Sequence, residues 1–336
     1  MLPLPRFHGP VAYRSKSAMV MARSIAGATA RRLRQGPLLP SWNWAVELGT
    51  AAIRGQLLTA FKLDSPVEQR RFLDALVIAS GPPAGVSTKT VDQGGIRGRW
   101  HRPANPAHGK LLYLHGGGFA VYPQASYRSF ISLVALTTRL ETFAADYRLS
   151  PEHPFPAALD DSRATYLWLL DQGIDPAHLA IAGDSAGGNL TISLLCDLRD
   201  RKIPLPALGI ALSPATEFDT IRASMATNDP YDWITGMMAL TWRDWYCRPD
   251  ERSLPLVSPI HADLRGLPPI YLQAGRAEIL YDSICTFAIT AKDQGANVRL
   301  DTWPDMNHVF QFFGNDAPQS REALGKIREL AERIFH

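Results

Sequence analysis

The chain is poor in the features that would take it away from an ordinary globular fold. Its 336 residues include three cysteines, Cys196, Cys247 and Cys285, odd in number, widely separated and without a C-x-x-C pair. That spacing excludes a disulfide framework and offers no set of metal ligands, and it points to reduced thiols in a cytoplasmic setting. No apolar run approaches the ~18–20 residues that a membrane-spanning helix needs, so stable membrane insertion is not expected. The net charge is +3, too small to argue for nucleic acid. Acidic residues are missing before Glu47, while Arg6, Arg14, Lys16, Arg23, Arg31, Arg32 and Arg34 all precede it. A secretory signal explains this poorly, because Arg23 interrupts the only modest apolar stretch and no clear cleavage pattern follows. A basic amphipathic contact with a membrane surface stays open.

What is present is material for a core. Hydrophobic residues make up 46% of the sequence, enough for one substantial core in a chain of this length. Apolar stretches that read as strands are LLYLH, ETFAADY, HLAIAGD, ALGIALS, PIYLQAG and NVRLDTW, and most are separated by segments long enough for crossover helices. That alternation predicts an α/β fold with a mostly parallel sheet covered on both sides. Near the end, QSREALGKIRELAERIF sets Leu324, Ile327, Ala331 and Ile334 on one helical stripe, which predicts a helix closing against the sheet.

The chemistry concentrates at three places. Directly after the strand HLAIAG, the segment Gly183-Asp184-Ser185-Ala186-Gly187-Gly188 has the G-x-S-x-G spacing of a nucleophile elbow. Glycines at 183 and 187 allow a tight strand-to-helix corner, which exposes the Ser185 hydroxyl and leaves the Ala186 N–H free to bind an oxyanion. Upstream, LLYLH ends at His115 and is followed by Gly116, Gly117, Gly118 and Phe119. Bare backbone N–H groups at Gly117 and Gly118 can approach a developing negative charge without side chains in the way, so they are candidate oxyanion donors, and His115 is a candidate brace for that loop. Downstream, Glu278 and Asp282 follow the strand PIYLQAG, and His308 follows NVRLDTW. All three leave the carboxyl ends of strands, where reactive groups converge in open parallel sheets. His308 is the candidate base; His8, His101, His261 and His336 have no comparable placement.

These motifs resemble the hormone-sensitive lipase family of α/β-hydrolases, the bacterial family IV carboxylesterases. The resemblance rests on HGGGF at 115–119, DYRLSPEHPFPAALDD at 146–161, GDSAGG at 183–188, LSP at 212–214 and HVF at 308–310, in that order. It implies the α/β-hydrolase fold, a serine carboxylesterase acting on short- to medium-chain acyl esters through an acyl-enzyme, Ser185 as nucleophile, His308 as base and the glycine loop as oxyanion hole. It implies no metal and no organic cofactor, a small-molecule ester as partner, and a homodimer as the assembly to test. Where the family carries D-P-L-x-D, this chain reads E-I-L-Y-D. Alignment puts Glu278 at the catalytic acid, with Asp282, four residues on, as the alternative sharing a face at the start of a helix. A lactone hydrolase is the alternative activity, and a non-catalytic ligand-binding protein on the same fold is a further one.

The expected organisation is N-terminal cap helices over 1–80, a first core part over 81–214, a helical cap insertion over 215–257 and a second core part over 258–336. The insertion carries Met225, Tyr231, Trp233, Met237, Met238, Trp242, Trp245 and Tyr246, an unusual load for an exposed loop. Most of these rings are expected simply to pack the segment onto the core. In the 146–161 motif, Arg148 and Glu152 are expected to form a buried pair.

Overall fold

The computed structural model describes residues 6–7, 9–77, 83–122 and 127–335. His8, His336 and the expected boundary at residue 80 lie outside the described residues. In chain order the principal elements are β1 (Arg6–Phe7), α1 (Val11–Gln35), α2 (Trp44–Ala60), α3 (Pro66–Asp74), β2 (Leu76–Val77), β3 (Val86–Gln93), β4 (Ile96–Pro103) and β5 (Lys110–Leu114). There follow α4 (Arg128–Thr138), β6 (Glu141–Ala145), α5 (Ala157–Asp171), β7 (Leu179–Asp184), α6 (Ala186–Asp200), β8 (Leu208–Leu212), α7 (Ser224–Thr227) and α8 (Gly236–Tyr246). The chain ends with β9 (Ile270–Gly275), α9 (Tyr281–Asp293), β10 (Val298–Trp303) and α10 (Pro318–Phe335).

Among the described residues, β3 to β10 form one eight-stranded sheet in the order β10-β9-β8-β7-β5-β6-β4-β3. Six of these strands, from β10 across to β6, run parallel. They are the six apolar stretches read from the sequence. β7, β8 and β9 are buried along their whole length, as expected for parallel strands with helices on both faces. The other two, β3 and β4, form an antiparallel hairpin that pairs with β6 through β4. Apolar runs do not mark these two, because their residues are largely polar. Their signal is Gly94-Gly95, both at positive φ (62° and 81°), as a two-residue hairpin turn requires. In α10, Leu324, Ile327 and Ala331 are buried and Ile334 is partly buried.

Helices α1 to α3 are tied to the sheet's carboxyl edge. Glu47 faces both Arg31 and Arg32, so part of the basic N-terminal run is balanced by the first acidic residue. Gln56 joins α2 to α1 by accepting from the Ser17 hydroxyl (3.0 Å) and donating to the Ser17 carbonyl (2.8 Å). From the same region, Ser41 N donates to Asp305 Oδ2 (3.1 Å), Asn43 Nδ2 to the Asp316 carbonyl (2.7 Å), and Asn307 Nδ2 returns a bond to Thr50 Oγ1 (2.7 Å). The loop that carries His308 is thus gripped by the start of α2.

Residues 215–257 contain α7 and α8 between β8 and β9. Asn189 Nδ2 donates to both ends of this segment, the carbonyls of Ala215 (2.7 Å) and Val257 (2.8 Å). Trp233, Met238, Trp242 and Tyr246 are buried, whereas Met237 is exposed. One expectation fails in the 146–161 motif. Arg148 pairs with Asp161 (2.8 Å), and Glu152 pairs with Arg70 of α3 (2.6 Å). Asp161 lies on α5, close enough to receive both the Arg148 guanidinium and its backbone N–H, and Glu152 is substantially exposed rather than buried.

Candidate active site

Ser185 stands at the corner between β7 and α6 with φ 54° and ψ −118°. A non-glycine residue in that region costs of order 1–3 kcal/mol and persists only when its surroundings hold it there. The surroundings do so: Ser185 N donates to the Leu212 carbonyl (2.8 Å), and the Ser185 carbonyl accepts from Asn189 N (3.0 Å) and Ala215 N (3.2 Å). The corner also demands small neighbours. A β-carbon on Gly183 would collide with the Gly187 backbone, and one on Gly187 with the Leu114 carbonyl. Ser185 is partly exposed while its neighbours are buried. Ala186 is the first residue of α6, so its N–H has no acceptor within the helix and lies at the positive end of the helix dipole.

The glycine loop runs alongside. Gly117 and Gly118 have φ of 105° and 60°, conformations that L side chains rarely adopt. A β-carbon on Gly117 would meet the Val121 carbonyl, and one on Gly118 the Trp242 ring. Asp184, fully buried, joins this loop to the serine corner. Its Oδ1 accepts from Tyr113 OH (2.8 Å) and Gly116 N (3.1 Å), and its Oδ2 accepts from Tyr127 OH (3.2 Å). Burial raises its pKa to about 6 despite those donors. His115 donates from Nδ1 to the Gly116 carbonyl (2.7 Å) and stacks on Tyr147 at 4.3 Å. Burial lowers its pKa to about 4, against the pull of the Gly116 bond, so it is neutral near pH 7 and suited to bracing.

Glu278 and Asp282 are separated by the structure. Glu278 lies in the turn after β9, before α9 begins at Tyr281, so the two carboxylates do not share a helical face. Asp282 opens α9, and its Oδ2 accepts from Ser224 N at 2.8 Å. Glu278 is wholly buried, with Oε2 3.6 Å from His308 Nδ1. That is beyond a formed hydrogen bond, and such contacts commonly tighten only when substrate is bound. Burial pushes the Glu278 carboxyl well above its usual range, with Ser213 and the Gly275 amide acting the other way. The loops bearing Glu278 and His308 touch directly: Ala277 N donates to the Met306 carbonyl (2.8 Å), and a β-carbon on Gly275 would collide with that carbonyl.

His308 is fixed on both sides. Its backbone N–H donates to Asp232 Oδ1 (3.2 Å), and the next residue, Val309, donates to Ser213 Oγ (3.0 Å). Val309 has φ 46°, an outlier for a β-branched residue. Burial lowers the His308 pKa, opposed by the charges of Asp232 and Asp184. Asp232 was not identified from the sequence: it sits among the aromatic residues of the 215–257 segment, with no motif to mark it. Two other histidines are engaged elsewhere, His101 with Ser132 Oγ (2.7 Å) and His261 with Asp219 (2.9 Å). A cavity of about 30 Å³ lies between the residue that bonds the serine corner and the turn that follows Glu278, lined by Ala215, Phe218, Met225, Leu240, Arg243 and Leu280 among others.

Comparison with known proteins gives a consistent result. A family model described as alpha/beta hydrolase fold matches residues 111–312. An acetyl-hydrolase of Streptomyces hygroscopicus is 36% identical over 244 residues, covering 72% of this chain and 80% of the relative. An esterase of Acinetobacter venetianus is 29% identical over 294 residues, covering 87% and 97%. Among solved structures, an esterase from the bacterial hormone-sensitive lipase family superposes with a TM-score of 0.79 at 31% identity, covering 85% of this chain and 98% of that one.

Proposed function

The chain belongs to the hormone-sensitive lipase family of α/β-hydrolases and is a carboxylesterase; from that premise we propose that Ser185, His308 and Glu278 are its catalytic triad. Gly117, Gly118 and Ala186 supply the oxyanion donors. The observation that carries this reading is Asp184, which binds the glycine loop through Gly116 N while adjoining the strained Ser185 corner, so nucleophile and oxyanion donors are held by one buried side chain.

The reaction is acyl transfer to water. Ser185 Oγ attacks the ester carbonyl carbon as its proton passes to His308, and the carbonyl electrons collect on an oxyanion held by the three N–H groups. Collapse breaks the bond to the alcohol oxygen, which leaves with the proton from His308. Water then repeats the sequence on the acyl-enzyme, freeing the acid and restoring Ser185. Glu278, set against His308 Nδ1, fixes the tautomer and offsets the imidazolium charge. Asp282 is engaged with Ser224, which supports Glu278 as the acid.

The substrates are esters at the short end of the short- to medium-chain range. Supporting this are the Trp242 ring packed on Gly118 and the acetyl-hydrolase among the relatives. An acyclic ester is favoured over a lactone by the names of the relatives. We assign helices α1–α3 and residues 215–257 to a cap over the site. Three free cysteines support a cytoplasmic setting, and family resemblance supports a homodimer. The test is a series of p-nitrophenyl esters. With the parent, kcat/KM should be highest for acetate to butyrate and lower by about tenfold or more for octanoate. A flat or rising series would overturn the substrate assignment, and full turnover by Ser185→Ala would overturn the triad.

A further inference from the structure

Asp232 is a fully buried carboxylate that the proposed triad does not use. It has three backbone donors from three segments. Oδ1 accepts from Trp233 N (2.8 Å) in its own segment and from His308 N (3.2 Å), and Oδ2 accepts from Ile279 N (2.8 Å), next to Glu278. A buried charge is tolerated where it is fully hydrogen-bonded, and a carboxylate accepting several N–H groups is strongly directional. Asp232 is held in turn from α2. Arg54 donates to the Asp232 carbonyl (2.5 Å), to the Asp229 carbonyl (2.8 Å) and to the Asp229 carboxylate (2.8 Å).

Resting on the triad assignment above, we propose that Asp232 is a positioning residue for the reaction: its carboxylate clamps the base loop at His308 to the acid loop at Ile279 and supports the His308 imidazolium. Arg54 extends the clamp to the N-terminal helices, so the 215–257 segment and α2 both bear on the spacing of base and acid. The charged and titratable groups facing this centre are Glu278 from the turn after β9, Asp184 from the end of β7, and Arg54 with Asp229 on the far side of the Asp232 backbone. The Asp232 charge raises the His308 pKa, and burial raises its own to about 7. Asp232 is largely protonated below about pH 7, where the acidic limb lies, so the effect of its charge on the reaction is read in kcat above that pH.

Asp232→Asn keeps the volume but turns one acceptor into a donor facing an N–H, so the clamp loses one loop or the other. The experiment measures kcat and KM for p-nitrophenyl acetate from pH 5 to 9 on the full chain, for the parent, Asp232→Asn and Arg54→Gln. For a folded Asp232→Asn, kcat at pH 8 should fall by about 30-fold or more with KM within about threefold, and the parent-to-variant ratio of kcat should shrink toward pH 6 as Asp232 becomes protonated. Parent-like kcat, or a lower kcat whose ratio to the parent does not change with pH, would overturn the proposal. Should Asp232→Asn fail to fold, Arg54→Gln decides: kcat should fall about threefold to tenfold with KM little changed, and an unchanged kcat would overturn the proposal. The triad assignment stands or falls separately, on Ser185→Ala and on Glu278→Gln.

Discussion

Replacing Asp184 tests how the serine corner and the glycine loop are joined. The carboxylate is fully buried and receives Tyr113 OH, Gly116 N and Tyr127 OH. Asp184→Ala leaves all three donors without an acceptor, at about 1–3 kcal/mol each. The total, of order 3–9 kcal/mol, is a large share of the ~5–15 kcal/mol that holds a typical domain together. Asp184→Asn behaves differently. Its oxygen can still accept from Tyr113 and Gly116, and its amide can donate to the Tyr127 oxygen, so the geometry survives and only the charge is lost. The folded pKa of Asp184 is raised to about 6. For a raised acid, the stabilising contribution is fully present below the unfolded value near 4 and is lost as pH rises through about 6, an effect of roughly 3 kcal/mol. Asparagine carries no such dependence. Guanidinium unfolding at fixed ionic strength should therefore show the parent behind Asp184→Asn by about 1 kcal/mol at pH 4.5, widening to about 3 kcal/mol at pH 7.5. A parent-minus-variant difference that does not change with pH, or an Asp184→Ala as stable as the parent, would refute the reasoning.

Other expectations are as specific. Glu278→Gln should lower kcat by about 10²–10⁴-fold, whereas Asp282→Asn, which disturbs the link to Ser224 and the charge facing Arg222, should keep turnover within about threefold and cost roughly 1 kcal/mol of stability; the reverse ranking would move the acid to Asp282. Gly118→Ala places a methyl against Trp242 at φ 60°, displacing an oxyanion donor. Steady-state kinetics should show kcat down about 10²–10³-fold with KM much less affected, and parent-like kcat would remove Gly118 from the oxyanion hole.

The sequence was most legible where backbone geometry forces residue choice. The corner at 183–187 and the loop at 116–118 need glycine because β-carbons there would strike neighbouring backbone or Trp242, and that need is visible as a motif. The parallel strands were equally plain, since burial on both faces makes them continuous apolar runs. The β3–β4 hairpin lacked such a run and was missed: β3 buries little beyond Val86, and the Gly94-Gly95 turn is its main sequence mark. Pairing partners were less accessible still. Arg148 found Asp161 and Glu152 found Arg70, because which carboxylate an arginine reaches is set by where α3 and α5 pack. Asp232 was hidden for the same reason, its three donors coming from residues 233, 279 and 308, two of them far away in sequence.

The central claim is that Ser185 carries the acyl group. Its most direct measurement is mass spectrometry of the protein after reaction with a p-nitrophenyl alkylphosphonate, with peptide mapping and residual esterase activity read on the same sample. The account predicts one phosphonyl group per chain on the peptide containing Ser185, loss of activity in proportion to labelling, and no label on Ser185→Ala. Stoichiometric labelling at another residue, or full activity in a protein labelled at Ser185, would contradict it.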